Sequence, residues 1–175
     1  NVIEEAVANF AVRCTEKLRR QGSVCQGITL FAWTSRFNEH VPEYTIHDSL
    51  TLPIATNAQE EIVGAALSIL RAKYPKPMAD SRPDRSDMSF HFKKAGVILW
   101  QISPDHPRQQ DLFDPIDRSK QKKLMEAIDA INRKNGYGTI RQAIQGTDCR
   151  FDLKREYMSK QFTTNIHDIL KVKTR

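Results

Sequence analysis

Side chains able to do chemistry are few in this chain, and they are not grouped for catalysis. Nucleotidyl or phosphoryl transfer needs carboxylates converging on two metal ions. The adjacent acidic pairs here, Glu4-Glu5 and Glu60-Glu61, fall in the first turns of expected helices, where capping and the helix dipole account for them. There is no Gly-rich phosphate loop and no nucleophile elbow, and Ser159 and Thr163-Thr164 read as turn or cap residues. The five histidines are scattered, and Cys14, Cys25 and Cys149 lack metal-ligand spacing. No catalytic residue and no metal ligand is assigned. The chemistry that remains is recognition. Arg108-Gln109-Gln110-Asp111-Leu112-Phe113-Asp114 lies between Pro107 and Pro115, which keep it out of regular structure and bias it toward extended backbone. Leu112 and Phe113 stand at its tip. They are either an anchor tucked onto the neighbouring domain or the pocket-filling residues of an extended peptide ligand.

Composition sets the frame. At 175 residues the chain is one large domain or two small ones. A hydrophobic content of 39% supports globular cores, while a mean hydropathy of -0.55 gives a very polar surface. The net charge of +6 and pI near 9.3 suit a polyanionic partner, or a solvated basic surface. An odd number of cysteines without paired spacing points to thiols in a reducing cytoplasm. No apolar run approaches transmembrane length and no signal peptide opens the chain.

The elements that must position these residues follow from periodicity. Asn1 to Glu4 reads as a capping box. Ile3, Val7, Phe10, Ala11, Cys14 and Leu18 recur at helical spacing until Gln21-Gly22. Val24 to Arg36 reads as a strand, with Ile28, Leu30, Ala32 and Thr34 on one face and Thr29, Phe31, Trp33 and Ser35 on the other. A second strand runs from Tyr44 to Leu52. Its Ile46, Leu50 and Leu52 share a face, and Thr45, His47, Ser49 and Thr51 form an opposite face that is small, polar and uncharged. Asn57 to Glu60 reads as another capping box, opening a helix that ends at Tyr74 before Pro75 and Pro77. Residues 75–91, rich in proline and alternating charge, read as a loop. The near-continuous apolar run 95–102 reads as a strand from the middle of a sheet.

The first 103 residues therefore read helix, strand, strand, helix, strand. This is an α+β fold with two helices on one face of an antiparallel or mixed sheet. Residues 104–116 form a proline-flanked linker. From 117 a small basic helix-plus-strand domain follows: a helix capped by Asp117 and ended by Asn135-Gly136, a strand around 138–143, and a tail that alternates basic and aromatic residues from Phe151.

Several stretches, in order, resemble one family. Glu4-Glu5-Ala6-Val7 and Glu16-Lys17-Leu18-Arg19-Arg20-Gln21-Gly22 resemble the first helix of the little-finger domain of UmuC-type Y-family DNA polymerases. Ile28-Thr29-Leu30-Phe31-Ala32-Trp33-Thr34-Ser35 is similar to that domain's following strand, and Lys93-Lys94-Ala95-Gly96-Val97-Ile98-Leu99 to its last. Gln109-Gln110-Asp111-Leu112-Phe113 resembles the bacterial sliding-clamp-binding pentapeptide that comes next in the family. Leu112 to Pro115, Met125 to Asn132, Tyr137 to Arg141, Arg155-Glu156, Ser159 and Thr163-Thr164 resemble its C-terminal domain of unknown function.

The resemblance implies a non-catalytic part of an error-prone translesion polymerase of the SOS-induced type. Its sheet would lie along template-primer DNA and contact backbone rather than bases. Thr45, His47, Ser49 and Thr51 would form that face, with Arg36, Lys93 and Lys94 adding charge-assisted bonds at the strand ends. Gln109, Asp111, Leu112 and Phe113 would hold the sliding clamp, and the C-terminal region would dock a UmuD-type subunit and the RecA filament. No membrane partner is implied. No cofactor belongs to this stretch, because Mg2+ would bind the family's palm domain, whose carboxylate motifs do not occur here. The resemblance further implies a strand before residue 1. Two features depart from the family: Trp33 stands where a basic residue is common, and the loop at 75–91 is longer. Two other readings stay open from the residues themselves. One is a free-standing nucleic-acid-binding protein whose Leu112 and Phe113 are an internal anchor. The other is a protein–protein adaptor without DNA affinity.

Overall fold

The computed structural model describes residues 2–37, 43–74, 92–105, 114, 116–147, 151 and 159–170. Expectations placed on Asn1, the loop at 75–91, the peptide 109–113 and most of the basic tail lie outside these residues.

Helix α1 spans Val2–Arg20. It stops where Gly22 adopts φ +66° and its N–H donates to the Arg19 carbonyl at 3.1 Å, a left-handed cap that glycine enters without a Cβ penalty. Strands β1 (Ser23–Thr34) and β2 (Thr45–Thr56) follow, then helix α2 (Gln59–Lys73) and strands β3 (Phe92–Trp100) and β4 (Ser103–Pro104). Strand β1 is the hub. It pairs antiparallel with β2 on one side and with β3 on the other, and its first two residues pair with β4.

The alternation in β1 decides which face is covered. Ile28, Leu30 and Ala32 are buried completely and join Ile46 of β2, Val7, Ala8, Ala11 and Leu18 of α1, and Ile62, Ala66 and Leu70 of α2 in one core. Each fully buried Leu or Ile contributes roughly 1.5–3 kcal/mol, so both helices are held on that one face of the sheet. The expected α+β arrangement is the one observed.

Several local expectations are corrected. The cap of α2 is Ala58, without a side-chain cap. Thr56 rather than Asn57 holds the turn, its hydroxyl accepting from the Ala58 N–H at 3.0 Å and donating to Glu61. Asn57 instead donates its amide to the Ser23 carbonyl at 3.1 Å. Strand β2 runs past Leu52 to Thr56, although Pro53 has no N–H for the ladder. The β1 register breaks across this stretch, between Cys25, opposite Thr56, and Gly27, opposite Thr51. Among the described residues β3 is an edge strand, not a central one. After it Gln101 takes φ +51°, and the chain jogs back to β1 as β4.

Helix α3 spans Arg118–Asn135, and the Asp117 carboxylate accepts from the Ser119 and Lys120 N–H groups as expected. Gly136 ends it with φ 107° and ψ 153°, a positive φ but not the left-handed helical cap. No strand forms at 138–143. Both backbone groups of Ile140 are taken by Asn132, whose side-chain amide accepts from the Ile140 N–H at 2.7 Å and donates to its carbonyl at 3.1 Å. A 3-10 turn over Ala143–Gln145 follows.

This segment packs against the first domain through polar groups. Gln145, buried, exchanges hydrogen bonds with buried Asn9, whose amide donates to the Gln145 carbonyl at 3.0 Å. Arg19 binds both oxygens of Asp129 at 2.6 and 2.7 Å. Arg118 bridges Glu61 and Asp114, Lys122 pairs with Asp105 at 3.0 Å, and the Arg13 guanidinium lies 5.1 Å from the Tyr137 ring centre. Between α1 and α3 these side chains leave an open cleft of about 490 Å³ lined by Glu16, Arg19, Arg20, Asp129, Arg133 and Tyr137.

Glu16 in that cleft has its carboxyl pushed above the ordinary glutamate value of 4.5, chiefly by burial and further by Asp129, against the opposing pull of Arg19, Arg13 and Arg20. A carboxyl whose folded value is raised costs stability once ionised, and that cost disappears as pH falls below the unfolded value. Glu16→Gln will therefore raise the melting temperature at pH 7, and the gain will shrink to nothing below about pH 4. A gain that persists at pH 3.5 in parallel thermal melts would sink this account.

Candidate nucleic-acid interface

The sheet face opposite the helices is built row by row from the strand register. Thr45, Trp33 and Lys94 lie side by side across β2, β1 and β3. The next rows are His47, Phe31 and Gly96; then Ser49, Thr29 and Ile98; then Thr51, Gly27 and Trp100. The expected residues Thr45, His47, Ser49 and Thr51 thus form one exposed column along β2, and the Ser49 and Thr29 hydroxyls share a hydrogen bond at 2.7 Å.

Lys94 reaches the Thr45 end of this face in register, and an irregularity adds Lys93 beside it. Trp33 pairs with Lys94 but Thr34 pairs with Phe92, so Lys93 is an extra residue, and such a bulge re-aims side chains that alternation would place on opposite faces. The two ammonium groups then cap neighbouring rings: Lys94 Nζ lies 5.0 Å from the Trp33 ring centre and Lys93 Nζ 5.8 Å from that of Phe37. Arg36, at the same end, is exposed and paired with Glu43 at 3.0 Å, so its charge is partly spent. Gln109, Asp111, Leu112 and Phe113 lie outside the described residues.

The face is less uniformly polar than its β2 column. Phe31 and Trp33 stack with ring centres 5.4 Å apart and planes 27° apart. Two glycines make room for rings to lie flat on the sheet: a Cβ at Gly96 would meet Phe31 at 2.4 Å, and one at Gly27 would meet Trp100 at 2.2 Å. Ile98 between them is 49% exposed. Alternation in β1 signalled Phe31 and Trp33. The rings of Trp100 and Phe37 depend on β3 register and turn geometry, which no local pattern carries.

Among the described residues the thiols play no part on this face. Cys25 is buried and unpaired, and burial pushes its thiol up to about 11. Among the described residues no His, Cys, Asp and Glu group is arranged to hold a metal ion, and no helix is long and apolar enough to cross a membrane.

Comparison with known proteins gives the class to which this fold and face belong. Residues 1–112 match the impB/mucB/samB family C-terminal domain, and the chain belongs to that family, corresponding to the C-terminal part of UmuC-type Y-family polymerases. Residues 122–172 match a domain of unknown function, DUF4113. Among individual relatives, Protein UmuC of Salmonella typhimurium is 34% identical over 98% of this chain and 38% of its own length. Protein ImpB of Salmonella typhimurium is 31% identical over 97% of the chain and 37% of its own length. Protein MucB of Escherichia coli is 32% identical over 95% of the chain and 36% of its own length. The chain thus spans a little over a third of the length of these relatives.

Proposed function

We propose that this chain is the part of an error-prone translesion polymerase that grips template-primer DNA in the cytoplasm during SOS repair and tethers the enzyme to its partners. Residues 1–103 hold the duplex. Residues 104–116 carry the sliding-clamp peptide, with Gln109, Asp111, Leu112 and Phe113 as its contacts. Residues 117–175 dock a UmuD-type subunit and the RecA filament. Nucleotide transfer and its Mg2+ belong to the family's palm, and this chain adds position rather than chemistry.

One observation carries the reading. In a member of this family, both helices cover the same sheet face, and on the other face β2 presents a column of small polar side chains, with two lysines at one end that have no carboxylate partner among the described residues. Thr45, His47, Ser49 and Thr51 are short enough to let a phosphate backbone approach closely, and they read no sequence. Lys93 and Lys94 supply the charge. Each phosphate neutralised contributes a slope of about -0.9 to log K against log salt. Replacing both lysines by alanine will flatten the slope for duplex DNA by up to about 1.8, equally for unrelated sequences. Fluorescence anisotropy at four salt concentrations measures it. An unchanged slope removes both lysines from the DNA face, and a flat salt dependence in the unmodified chain favours the adaptor reading.

A further inference from the structure

One corner of the open face has a character that duplex binding does not use. Trp33 is 36% exposed and Phe37 is 91% exposed, and consecutive lysines cap them. A soluble protein gains nothing from presenting Phe37 to water. Nor does a double helix offer these rings a partner, since its bases are stacked on one another and show only their edges. An unpaired base has a free π face, and stacking on aromatic side chains beside a cationic groove is how single strands are held without regard to sequence.

We propose that Trp33 and Phe37, with Lys94 and Lys93, form a stacking platform for unpaired bases of single-stranded DNA beside the duplex. The inference rests on the reading of this sheet face as DNA-facing and adds a second ligand class to it. Each incoming base takes the place of a lysine ammonium over its ring. The displaced ammonium, carried on a flexible and exposed stem, moves to the phosphate next to that base. Trp33 is stacked on Phe31 at 5.4 Å, and the Phe31 ring in turn lies over Gly96, so the indole is braced from one side. The bulge at Lys93 is what sets two cations beside two rings within one turn of chain.

The test uses the 175-residue chain with dT12 and with a 12-base-pair blunt duplex as probes. In a Trp100→Phe background Trp33 is the remaining indole. Its emission will be quenched by dT12 and far less by the duplex. Trp33→Ala and Phe37→Ala will each weaken dT12 binding about fivefold or more, while duplex affinity stays within twofold. Phe37→Ala serves as the safeguard, because a side chain this exposed contributes nothing to the core. With the duplex still bound, absence of quenching by dT12, or an equal loss for both probes, overturns the platform and leaves duplex gripping intact. Binding of dT12 with no duplex binding upholds the platform and sinks the duplex reading. If neither probe binds, both fall.

Discussion

Replacing Leu112 and Phe113 together by alanine will abolish binding of this chain to a bacterial sliding clamp and leave its thermal unfolding unchanged. The peptide is flanked by Pro107 and Pro115, and a residue before proline favours extended backbone, the form in which such peptide ligands bind. Burying the two side chains contributes roughly 3–6 kcal/mol before ordering costs. Backbone hydrogen bonds of the extended peptide add to that and fixing the linker subtracts from it, and micromolar affinity, about -8 kcal/mol, is expected for the intact chain. Loss of both anchors then weakens binding by about 100-fold or more, beyond the reach of an ordinary calorimetric titration. On the proposed reading Gln109 would give its side-chain amide to the pocket rim, and Gln109→Ala is expected to cost less than loss of the two anchors. The decisive comparison sets clamp titration beside a thermal melt of the same variant. Normal clamp binding, or a lower melting temperature, would show that Leu112 and Phe113 are structural.

Arg19→Ala will release α3 from the first domain. The Arg19 side chain is 9% exposed and that of Asp129 is 23% exposed. The guanidinium holds both carboxylate oxygens and also donates to the Asn57 carbonyl at 3.0 Å, so one side chain joins α1, the entry to α2, and α3. Removing it leaves a poorly solvated Asp129 carboxylate beside Glu16. Breaking a fully buried pair from one side costs about 3–5 kcal/mol. Because Asp129 keeps some solvent, about 2–3 kcal/mol is expected here. Arg19→Lys will recover little of it, since a single ammonium cannot reproduce the fork. Hydrogen exchange locates the effect: amides of α3 should lose protection while those of β1 keep theirs. If α3 protection is unchanged, the pair is not the latch.

Much of the first domain is legible in the sequence because its signals are periodic. Ile28, Leu30 and Ala32 alternate, Val7, Ala11 and Leu18 recur at helical spacing, and each set went where its period sent it. The errors fall where a side chain substitutes for a backbone partner. Thr139-Ile140 reads as strand by β-branching, yet the Asn132 amide takes the place of a neighbouring strand, and the ladder never forms. Strand β3 reads as central because it is apolar throughout. In fact one of its faces meets the core while the other carries Ile98 and Trp100 on the open side, so a continuous apolar run here reports two separate surfaces. The site divides in the same way. The column Thr45, His47, Ser49 and Thr51 follows from a period of two within one strand. The placing of Lys93 beside Lys94 depends on a bulge, and the meeting of Arg19 with Asp129 spans 110 positions. Neither leaves a local trace.

The Asn9–Gln145 contact joins residues 136 positions apart. During synthesis α1 emerges before Gln145, and the amide that will meet Asn9 is made only after nearly all of the described core. For that interval the outer face of α1 waits uncovered. An apolar side chain at position 9 would spend it as a sticky patch on a folding intermediate, open to any other nascent chain. An asparagine is content in water, and it yields that water when Gln145 arrives to replace each lost hydrogen bond in kind. The polar seam thus lets the two halves of the chain mature at different times, and it seals without having been a hazard while open.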